Sequence, residues 1–431
     1  MSKPLMRIPY TQPLPPPLII PASAATRQGA ITSLTRFLHP DRNTPTPTPS
    51  PPVLRHDHDH DHGIREEKKT NKTVLLTGAG ISVASGLADY RGPNGTYTQN
   101  KSYRPIYYHE FVASHESRKR YWARSFLGWR GLHRSQPNDT HYAIRDLGRL
   151  GCVDTVITQN VDSFHPLAHP KLPHTVELHG FLRSLICLSC KTLMDRDTFQ
   201  ARLAELNPAW AAFLQDLLAS GALDTEDPVE RRKKGFRTNP DGDADVPDAP
   251  YTTFRYPACP SCLRRPPILS DGSKGHVDVD KDGAWIPSSS NRTSTSTNNA
   301  HGIGVLKPNV IMFGESIPAP VKAAAEAAID AASRILVVGS SLATYSAWRL
   351  VKRAHERGMG IGILNMGGVR KEEAFFGDYH HHQGGGYNDD DGGRLSALRR
   401  AVVRASLPAE EVLPAVVECI RLEKEKEKER V

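Results

Sequence analysis

The sequence predicts an α/β fold, a doubly wound parallel sheet into which a smaller zinc-binding and helical module is inserted. Apolar, strand-like runs alternate with helical segments, and several of these runs end in glycine or small polar residues. Parallel sheets that bind ligands at the carboxyl ends of their strands are built in this way. Two widely separated C-x-x-C pairs interrupt the alternation and predict a metal-binding insertion.

Composition limits the class of protein. The chain has 431 residues, of which 38% are hydrophobic and 24% charged, with a net charge of +8. This charge suits an acidic ligand such as a dinucleotide, and no nucleic-acid partner is expected. No apolar run approaches the roughly 20 residues that cross a bilayer, so no membrane partner is expected either. Four of the six cysteines lie in C-x-x-C pairs, which is typical of metal binding in a reducing compartment.

The N-terminal residues 1–39 are predicted to form a proline-rich arm and a helix. They are basic, and no Asp or Glu precedes Asp41. Two interpretations stay open: a mitochondrial transit peptide, or a helix over Ala24–Leu38 that packs on the core through one apolar face, with Ile31, Leu34 and Leu38. Residues 40–72, with Thr-Pro repeats and a His-Asp run, are predicted to be a disordered linker.

The first strand is predicted at Thr73–Leu76, and a glycine-containing loop follows it directly. Glycines at this place let backbone N–H groups approach a phosphate, and the loop here consists of Gly78, Ala79 and Gly80. The spacing is neither that of a dinucleotide-binding G-x-G-x-x-G nor that of a P-loop. Taken alone, the loop is equally consistent with a tight strand–helix turn. An acid, an aromatic ring and a cation that suit a nucleotide pocket follow downstream, with Ser82, Asp89, Tyr90 and Arg91.

The stretch GAGISVASGLADYR, from Gly78 to Arg91, resembles the sirtuins, the NAD-dependent protein-lysine deacylases. Further segments match, so that the resemblance extends over most of the chain from Thr73 to Glu418. RPI, RYWAR-x-F-x-GW and QPN, between Arg104 and Asn138, are similar to the class II branch, which includes a mitochondrial sirtuin. The resemblance implies a Rossmann-like NAD domain over 73–180 and 305–422 and a zinc module over 181–304. The alternation of Glu and Lys predicts a charged tail over 423–431.

The next two predicted strands end in polar residues that match family motifs. Val153–Thr158 is followed by Gln159, Asn160 and Asp162, and Thr175–Leu178 is followed by His179. The resemblance makes His179 the general base, a role that its ordinary pKa range suits. It also makes Asn160 and Asp162 the residues that hold the ribose and the departing nicotinamide. One departure occurs where His169 replaces the usual glycine, which leaves the conformation of that loop open.

Two further strands are predicted in the last third of the chain. The strand Arg334–Val338 ends in Gly339, Ser340 and Ser341, and the strand Ile361–Leu364 ends in Asn365, Met366 and Gly367. We expect these residues to contact the phosphates and ribose of NAD. Helices are predicted at Pro320–Ala332, Ala347–Arg357 and Leu407–Leu422, and a loop insertion at Phe376–Gly393.

The two C-x-x-C pairs predict one structural zinc ion, bound by Cys187, Cys190, Cys259 and Cys262. Four thiolates leave no open coordination position, so a catalytic role for the metal is not expected. Two redox motifs are the alternative, but neither pair opens a helix after a strand. Between and beyond the pairs we predict a helix at Ala201–Leu223, a loop at Gly235–Pro250 and disorder at Gly272–Asn299.

The segment Val305–Glu315 reads VLKPNVIMFGE. A plain core strand explains its apolar residues. The resemblance implies a further role, in which an acyl-lysine protein substrate binds as an added strand. The cleft would then be lined by Val310, Met312, Phe313 and Gly314.

The resemblance implies a definite reaction. The acyl oxygen attacks the ribose C1′ of NAD, nicotinamide leaves, and His179 activates a ribose hydroxyl that attacks the resulting alkylimidate. Water then completes the release of free lysine and O-acyl-ADP-ribose. The alternatives are a protein mono-ADP-ribosyltransferase that uses the same site, a non-catalytic NAD-sensing or chromatin-binding module, and a dehydrogenase, which the missing G-x-G-x-x-G disfavours. The expected location is the mitochondrial matrix, with cytoplasm or nucleus as the alternative.

Acyl-chain preference is expected to depend on the predicted helix around Tyr121. Sirtuins that remove acidic acyl groups share a Tyr-x-x-Arg spacing, which Tyr121 and Arg124 reproduce. The surrounding pattern, with Phe126, Gly128 and Trp129, matches the other class II branch and suits an apolar chain. We therefore expect an uncharged or hydroxyl-bearing acyl group larger than acetyl to be preferred over succinyl.

Overall fold

The computed structural model describes residues 14–40, 72–100, 103–219, 237–240, 242–246, 249–269, 272–287, 302–376 and 402–430. Most of the predicted linker, with its His-Asp run, and the predicted loop insertion beyond Phe376 lie outside the described residues.

The main sheet has six strands, all parallel, in the order β11-β10-β9-β1-β2-β3. Three of the central strands are buried at every position, as expected for a sheet covered on both faces. The strand order reverses direction between β1 and β9, which is the place where such sheets bind ligands. The strands are β1 Thr73–Thr77, β2 Val153–Thr158, β3 His174–Glu177, β9 Arg334–Val338, β10 Gly360–Leu364 and β11 Val402–Ala405.

Helices cover both faces of the sheet and also form part of the inserted module. The doubly wound prediction is confirmed, because one apolar cluster on each face packs helices against strands. The α-helices are α1 Arg27–Leu38, α2 Thr96–Gln99, α3 Tyr108–Ala113, α4 His115–Arg134, α5 Asp139–Arg149, α6 Phe164–Ala168, α7 Arg196–Leu206, α8 Pro208–Ala219, α9 Pro260–Arg264, α10 Ala319–Ala331, α11 Tyr345–Glu356, α12 Glu373–Phe376 and α13 Ala409–Glu429.

The N-terminal helix α1 is part of the core. Thr26 caps its first turn, and Leu34 and Phe37 are buried in the same cluster as Leu413 and Val416 of α13. Farther towards the N-terminus, Ile20 forms an antiparallel bridge with Arg404 of β11. These contacts match the packing-helix interpretation of the N-terminal segment, and the bridge covers the outer edge of the sheet.

The inserted module is built on a three-stranded antiparallel sheet with the order β5-β4-β8, formed by β4 Gly180–Cys187, β5 Leu193–Asp195 and β8 Leu306–Val310. We placed the segment from 305 onward in the NAD domain, but β8 belongs to the module's sheet. The strands β4, β5 and β11 were missed, because short runs such as Val402–Ala405 carry no distinctive alternation.

In its described residues, the module between 181 and 304 is more ordered than we predicted. The helical prediction at Ala201–Leu223 corresponds to α7 and α8, which are separated at Asn207. A short hairpin of two-residue strands, β6 Arg237–Thr238 and β7 Ala244–Asp245, lies inside the predicted loop. The prediction of disorder is wrong for 272–287, where Trp285 is buried and stacks on Tyr256. In the described part of the chain, no helix is long and apolar enough to cross a membrane.

Candidate active site

The glycine loop after β1 meets the loop after β9 at the switch point of the sheet. The amide of Gly80 donates to the carbonyl of Gly339, with a distance of 2.9 Å. A Cβ atom placed on Gly78 or Gly80 would lie 2.8 Å from that same carbonyl oxygen. The two loops approach this closely because glycine occupies these positions, and Gly339 itself has a φ of 61°. The two loops therefore pack closely together at the carboxyl ends of the adjacent strands β1 and β9.

Gln159, directly after β2, links the loops around it. Its amide nitrogen donates to Ser340 Oγ at 2.7 Å and to the carbonyl of Thr77 at 3.2 Å. Its amide oxygen accepts from Thr344 Oγ1 at 3.1 Å. Three strand ends are therefore held together by one side chain.

Asn160 and Asp162 both form hydrogen bonds with the loop that follows β1. Asn160 Nδ2 donates to Ser82 Oγ at 3.1 Å and to the carbonyl of Gly78 at 3.2 Å. Ser82 Oγ donates in turn to Asp162 at 2.8 Å, and the amide of Phe164 donates to the second carboxylate oxygen. Burial raises the pKa of Asp162, while these hydrogen bonds act in the opposite direction.

His179 follows β3 and is fixed by two hydrogen bonds. Its Nδ1 lies 3.1 Å from the carbonyl oxygen of Gln159, which can only accept, so Nδ1 carries the proton. Its Nε2 is therefore an acceptor, and it lies 2.8 Å from the hydroxyl of Ser346 on α11. Burial lowers the pKa of His179 to about 4. The imidazole is thus neutral at ordinary pH, with the lone pair of Nε2 directed toward α11, as a general base requires.

The segment Asp89–Arg91 forms a half-buried patch beside α2. Tyr90 stacks on Tyr97 with ring centroids 5.6 Å apart, and the guanidinium of Arg91 lies 5.1 Å from the same Tyr97 ring. Asp89 accepts from the amide of Gly92, and burial raises its pKa. Burial also lowers the pKa of Arg91.

The loop after β10 is shaped by a buried arginine. Arg404 of β11 donates to the carbonyl of Asn365 at 3.0 Å and to that of Gly367 at 2.6 Å. Asn365 is buried, whereas Met366 between them is 54% exposed. Arg404 also pairs with Glu372 at 2.6 Å. Neither residue of this pair was among our predicted site residues.

Two neutral histidines, His165 and His169, form a chain of hydrogen bonds to Thr77 at the end of β1. His169 Nδ1 donates to the carbonyl of Pro173, so its Nε2 accepts from His165 Nδ1 at 2.9 Å. His165 Nε2 in turn accepts from the hydroxyl of Thr77 at 2.9 Å. The backbone at His169 has a φ of −146°, so the glycine that sirtuins usually carry is not required here.

The predicted substrate segment adjoins His179. The amide of Ile311 donates to the carbonyl of His179 at 2.8 Å, and that of Tyr108 donates to the carbonyl of Phe313 at 2.9 Å. Val310 and Phe313 are half-buried, and Gly314 is exposed. Met312 is buried among the apolar residues of the module, so its side chain contributes to the core.

The four cysteines are brought together in the module, although 68 residues separate Cys190 from the second pair. All four sulfur atoms lie within 4.8 Å of one another. The Cys187–Cys262 and Cys190–Cys259 sulfur distances are 3.6 and 3.7 Å. Tetrahedral zinc with Zn–S bonds of about 2.3 Å requires sulfur separations of roughly 3.8 Å, so the donor set fits zinc. When bound, the metal would join β4 to α9 and would leave no open position.

The fold and this site define a nucleotide-binding α/β protein with a structural zinc module. The Sir2 family model matches residues 78–346. The chain is 39% identical to NAD-dependent protein deacylase SIR4 of Batrachochytrium dendrobatidis, over 70% of this chain and 83% of the relative. It is 33% identical to NAD-dependent protein deacylase SRT2 of Arabidopsis thaliana, over 71% and 69%. The chain therefore belongs to the Sir2 family, the sirtuins.

Two polar contacts at the site were missed by the sequence interpretation. Ser346 and Thr344 lie only a few residues beyond the predicted Gly339–Ser341 turn, but they belong to no motif that we used. The signal that would have found them is their position at the first turn of a helix after a ligand-binding strand end.

Proposed function

We propose that this sirtuin, when it removes acyl groups from protein lysine, prefers an uncharged or hydroxyl-bearing acyl group larger than acetyl over succinyl. The chain is a NAD-dependent protein-lysine deacylase, the activity for which its relatives are named. Those names do not favour the ADP-ribosyltransferase alternative. What we propose beyond this activity is the preferred acyl group. The observation that supports this preference is the environment of Arg124.

Arg124 is enclosed and already paired. Its side chain is 2% exposed, and its guanidinium lies 2.6 Å from Asp243 and 3.8 Å from Asp245 in the short hairpin of the insert. An acidic acyl group would have to compete with these two carboxylates for the guanidinium. A carboxylate that lacks such a partner loses its hydration without compensation, so succinyl is disfavoured.

The side chains around Arg124 on α4 are aromatic. Tyr121 contacts the rings of Phe111 and Trp122 edge-on, with centroids 5.4 and 5.1 Å apart. Phe111 and Trp122 are themselves fully buried, so the half-buried ring of Tyr121 is the surface of this group that an aliphatic acyl chain would cover, with a gain of about 0.8 kcal/mol for each methylene that is buried. Longer uncharged chains should therefore gain more than acetyl does.

The strand-end residues are assigned as the NAD site. The loops Gly78–Gly80 and Gly339–Ser341 would bind the diphosphate, and Asn365–Gly367 a ribose. The other residues assigned to NAD are Ser82, Asp89, Tyr90, Arg91, Gln159, Asn160 and Asp162. NAD supplies the ribose carbon that is attacked and the nicotinamide that leaves. His179 Nε2, held as an acceptor by the Gln159 carbonyl, would take the proton from a ribose hydroxyl.

The substrate backbone is proposed to bind along β8. In the described part of the chain β8 pairs with β4 only, so its other edge is available to an extended peptide. Val310 and Phe313 are half-buried at this edge and would contact the peptide. The carbonyl of His179 accepts from the amide of Ile311, a bond that continues the β4–β8 pairing and joins the end of β8 to the proposed base.

A mitochondrial location is proposed on the basic, acid-poor N-terminus. Because α1 and Ile20 pack into the fold, cleavage after Leu38 would expose an apolar surface. Processing before Leu14 would leave the described fold complete. Sequencing the N-terminus of the protein from isolated mitochondria tests this. A protein absent from mitochondria would contradict the proposed location, whereas a mature chain that begins after Leu38 would contradict the expectation that α1 is kept in the mature protein.

The acyl preference is tested by comparing kcat/KM for acetyl-, succinyl-, glutaryl-, lipoyl- and long-chain acyl-lysine peptides. We expect lipoyl or long-chain peptides to be the best substrates and succinyl to be poor. Asp243→Asn should increase the ratio of succinyl to acetyl turnover, because it frees the Arg124 charge. Glu116→Gln removes an exposed carboxylate on the same helix and should leave the ratio unchanged. A clear wild-type preference for succinyl would contradict the proposal.

A further inference from the structure

We propose that the N-terminal residues 14–20 position the Asn365–Gly367 loop and thereby set the affinity for NAD. The proposal rests on the assignment of that loop to the dinucleotide ribose. It identifies Glu372 and Arg404 as positioning residues that act through the loop and do not themselves contact NAD.

The connection begins at the backbone of the N-terminal segment. The amide of Leu18 donates to Glu372 Oε1 at 3.0 Å. Two residues later, Ile20 and Arg404 exchange both backbone hydrogen bonds, at 3.0 and 2.6 Å. The carbonyl of Pro15 lies against Gly368, where an added Cβ would be only 2.0 Å from that oxygen. Residues 15–20 therefore contact Gly368, which directly follows the loop, and also Glu372 and Arg404.

Glu372 and Arg404 transmit these contacts to the loop. Glu372 is 5% exposed and Arg404 is fully buried. The carboxylate accepts from Arg404 Nε at 2.6 Å and from the amide of Val369 at 3.0 Å. The remaining guanidinium nitrogens donate to the carbonyls of Asn365 and Gly367. One buried ion pair thus holds two carbonyl groups of the loop, and one carboxylate oxygen of that pair accepts from the Leu18 amide.

Breaking the Leu18 contact leaves a buried carboxylate with one donor fewer, so the pair is free to reorient. Since Arg404 holds both ends of the Asn365–Gly367 turn, the loop should lose its binding conformation part of the time. A ligand that requires this conformation then binds more weakly by the fraction lost. The chemical step at His179 lies on the other side of the switch point and should be unaffected.

The matched test compares Leu18→Pro with Leu18→Ala in the full chain. Proline lacks the amide hydrogen and is compatible with the preceding prolines, whereas alanine keeps the amide and loses only the side chain. Leu18→Pro should raise KM for NAD and the calorimetric Kd of ADP-ribose by about fivefold. The values of kcat and KM for the acyl peptide should not change. Leu18→Ala should stay within about twofold of wild type.

Equal effects of the two variants, or an unchanged Kd for ADP-ribose in folded Leu18→Pro, would overturn the proposal. Asn365→Ala tests separately whether the loop binds NAD and whether residues 14–20 position it. If it weakens ADP-ribose binding while Leu18→Pro does not, the NAD assignment stands and the positioning role fails. If neither variant changes binding, the assignment of the loop fails as well.

The unmodified protein provides a second measurement, should Leu18→Pro not fold. Coupling between two sites is reciprocal, so ADP-ribose must slow hydrogen exchange at the amides of Leu18 and Ile20. Glu372→Gln should reduce this protection. Identical exchange at Leu18 and Ile20 with and without ADP-ribose would contradict the proposal.

Discussion

The NAD edge of the parallel sheet and the zinc module are stabilised in different ways. At the sheet edge, parallel strands buried on both faces fix the backbone, and side chains such as Gln159 connect three strand ends. In the module, a three-stranded sheet carries two cysteine pairs from distant parts of the chain. The sheet edge therefore takes its shape from contacts within the chain, whereas we expect the closure of the module to depend on the zinc ion that the four cysteines fit.

Removing a zinc ligand should have the largest effect on stability, and this effect should be confined mainly to the zinc module. Structural zinc sites contribute roughly 10–16 kcal/mol of binding free energy to folding. Cys190→Ser should lose the metal, and hydrogen exchange should rise in β4, β5 and α9 far more than in β1 and β9. Metal analysis and exchange mass spectrometry measure this, with Cys419→Ser as a control outside the cluster. Full zinc occupancy at unchanged melting temperature would refute the assignment.

The second prediction concerns the proposed base at the sheet edge. His179→Tyr should leave the fold intact and lower NAD-dependent turnover by about 10²–10⁴, the usual contribution of a general base. His174→Gln, at an exposed histidine at the start of β3, the strand that leads to His179, should retain activity. A folded His179→Tyr protein with near-wild-type turnover would show that another residue is the base.

The third prediction is that acid destabilises the sheet region through its buried histidines. Burial lowers the pKa of His141 to about 3, that of His179 to about 4, and that of His165 well below its ordinary value. Below pH 6.5 the unfolded chain therefore binds more protons than the folded chain, and stability falls as the pH falls. Each such group contributes up to about 1.36 kcal/mol per pH unit.

Urea unfolding at pH 7.5, 6 and 5 measures this slope. Asp162, whose pKa is raised by partial burial, acts in the opposite direction, but only below the raised value. His165→Gln should reduce the slope by about one proton between pH 6 and 5. A stability that does not change over this range would show that the histidines are not held neutral in the folded state.

The smallest expected effect is that of Ser346→Ala. Its hydroxyl donates to Nε2 of His179, and a neutral hydrogen bond contributes about 0.5–1.5 kcal/mol. We expect kcat/KM to fall by about two- to tenfold, with the acidic limb of the pH profile displaced, and Ser346→Thr to restore both. An unchanged pH profile in Ser346→Ala would mean that the serine does not orient the base.

The ligand-binding residues at the sheet edge could be predicted from the sequence, but the residues that hold the Asn365–Gly367 loop in place could not. Residues such as Gly78, Asn160 and Asp162 were recognisable because they follow strong apolar strands and match family motifs. The support was not recognisable, because Glu372 and Arg404 belong to no motif and are 32 residues apart. Their role depends on β11, a four-residue strand with no distinctive pattern.

In the module, the zinc ligands could be predicted and the surrounding chain could not. Two C-x-x-C pairs specify a tetrahedral site whatever lies between them. The segment 272–287 has a polar composition that indicated disorder, yet Trp285 anchors it by stacking on Tyr256. A single buried aromatic residue outweighed the average composition of the segment, and long-range packing of this kind is not visible locally.

The most direct test of the account is a balance of products from one acylated peptide and NAD, followed by mass spectrometry. We expect nicotinamide, deacylated peptide and O-acyl-ADP-ribose to form in equal amounts, and no product to form without NAD. The same result is expected with lipoyl or long-chain acyl-lysine, at a higher kcat/KM than with succinyl-lysine. ADP-ribose attached to protein, with the acyl-lysine left intact, would contradict the account.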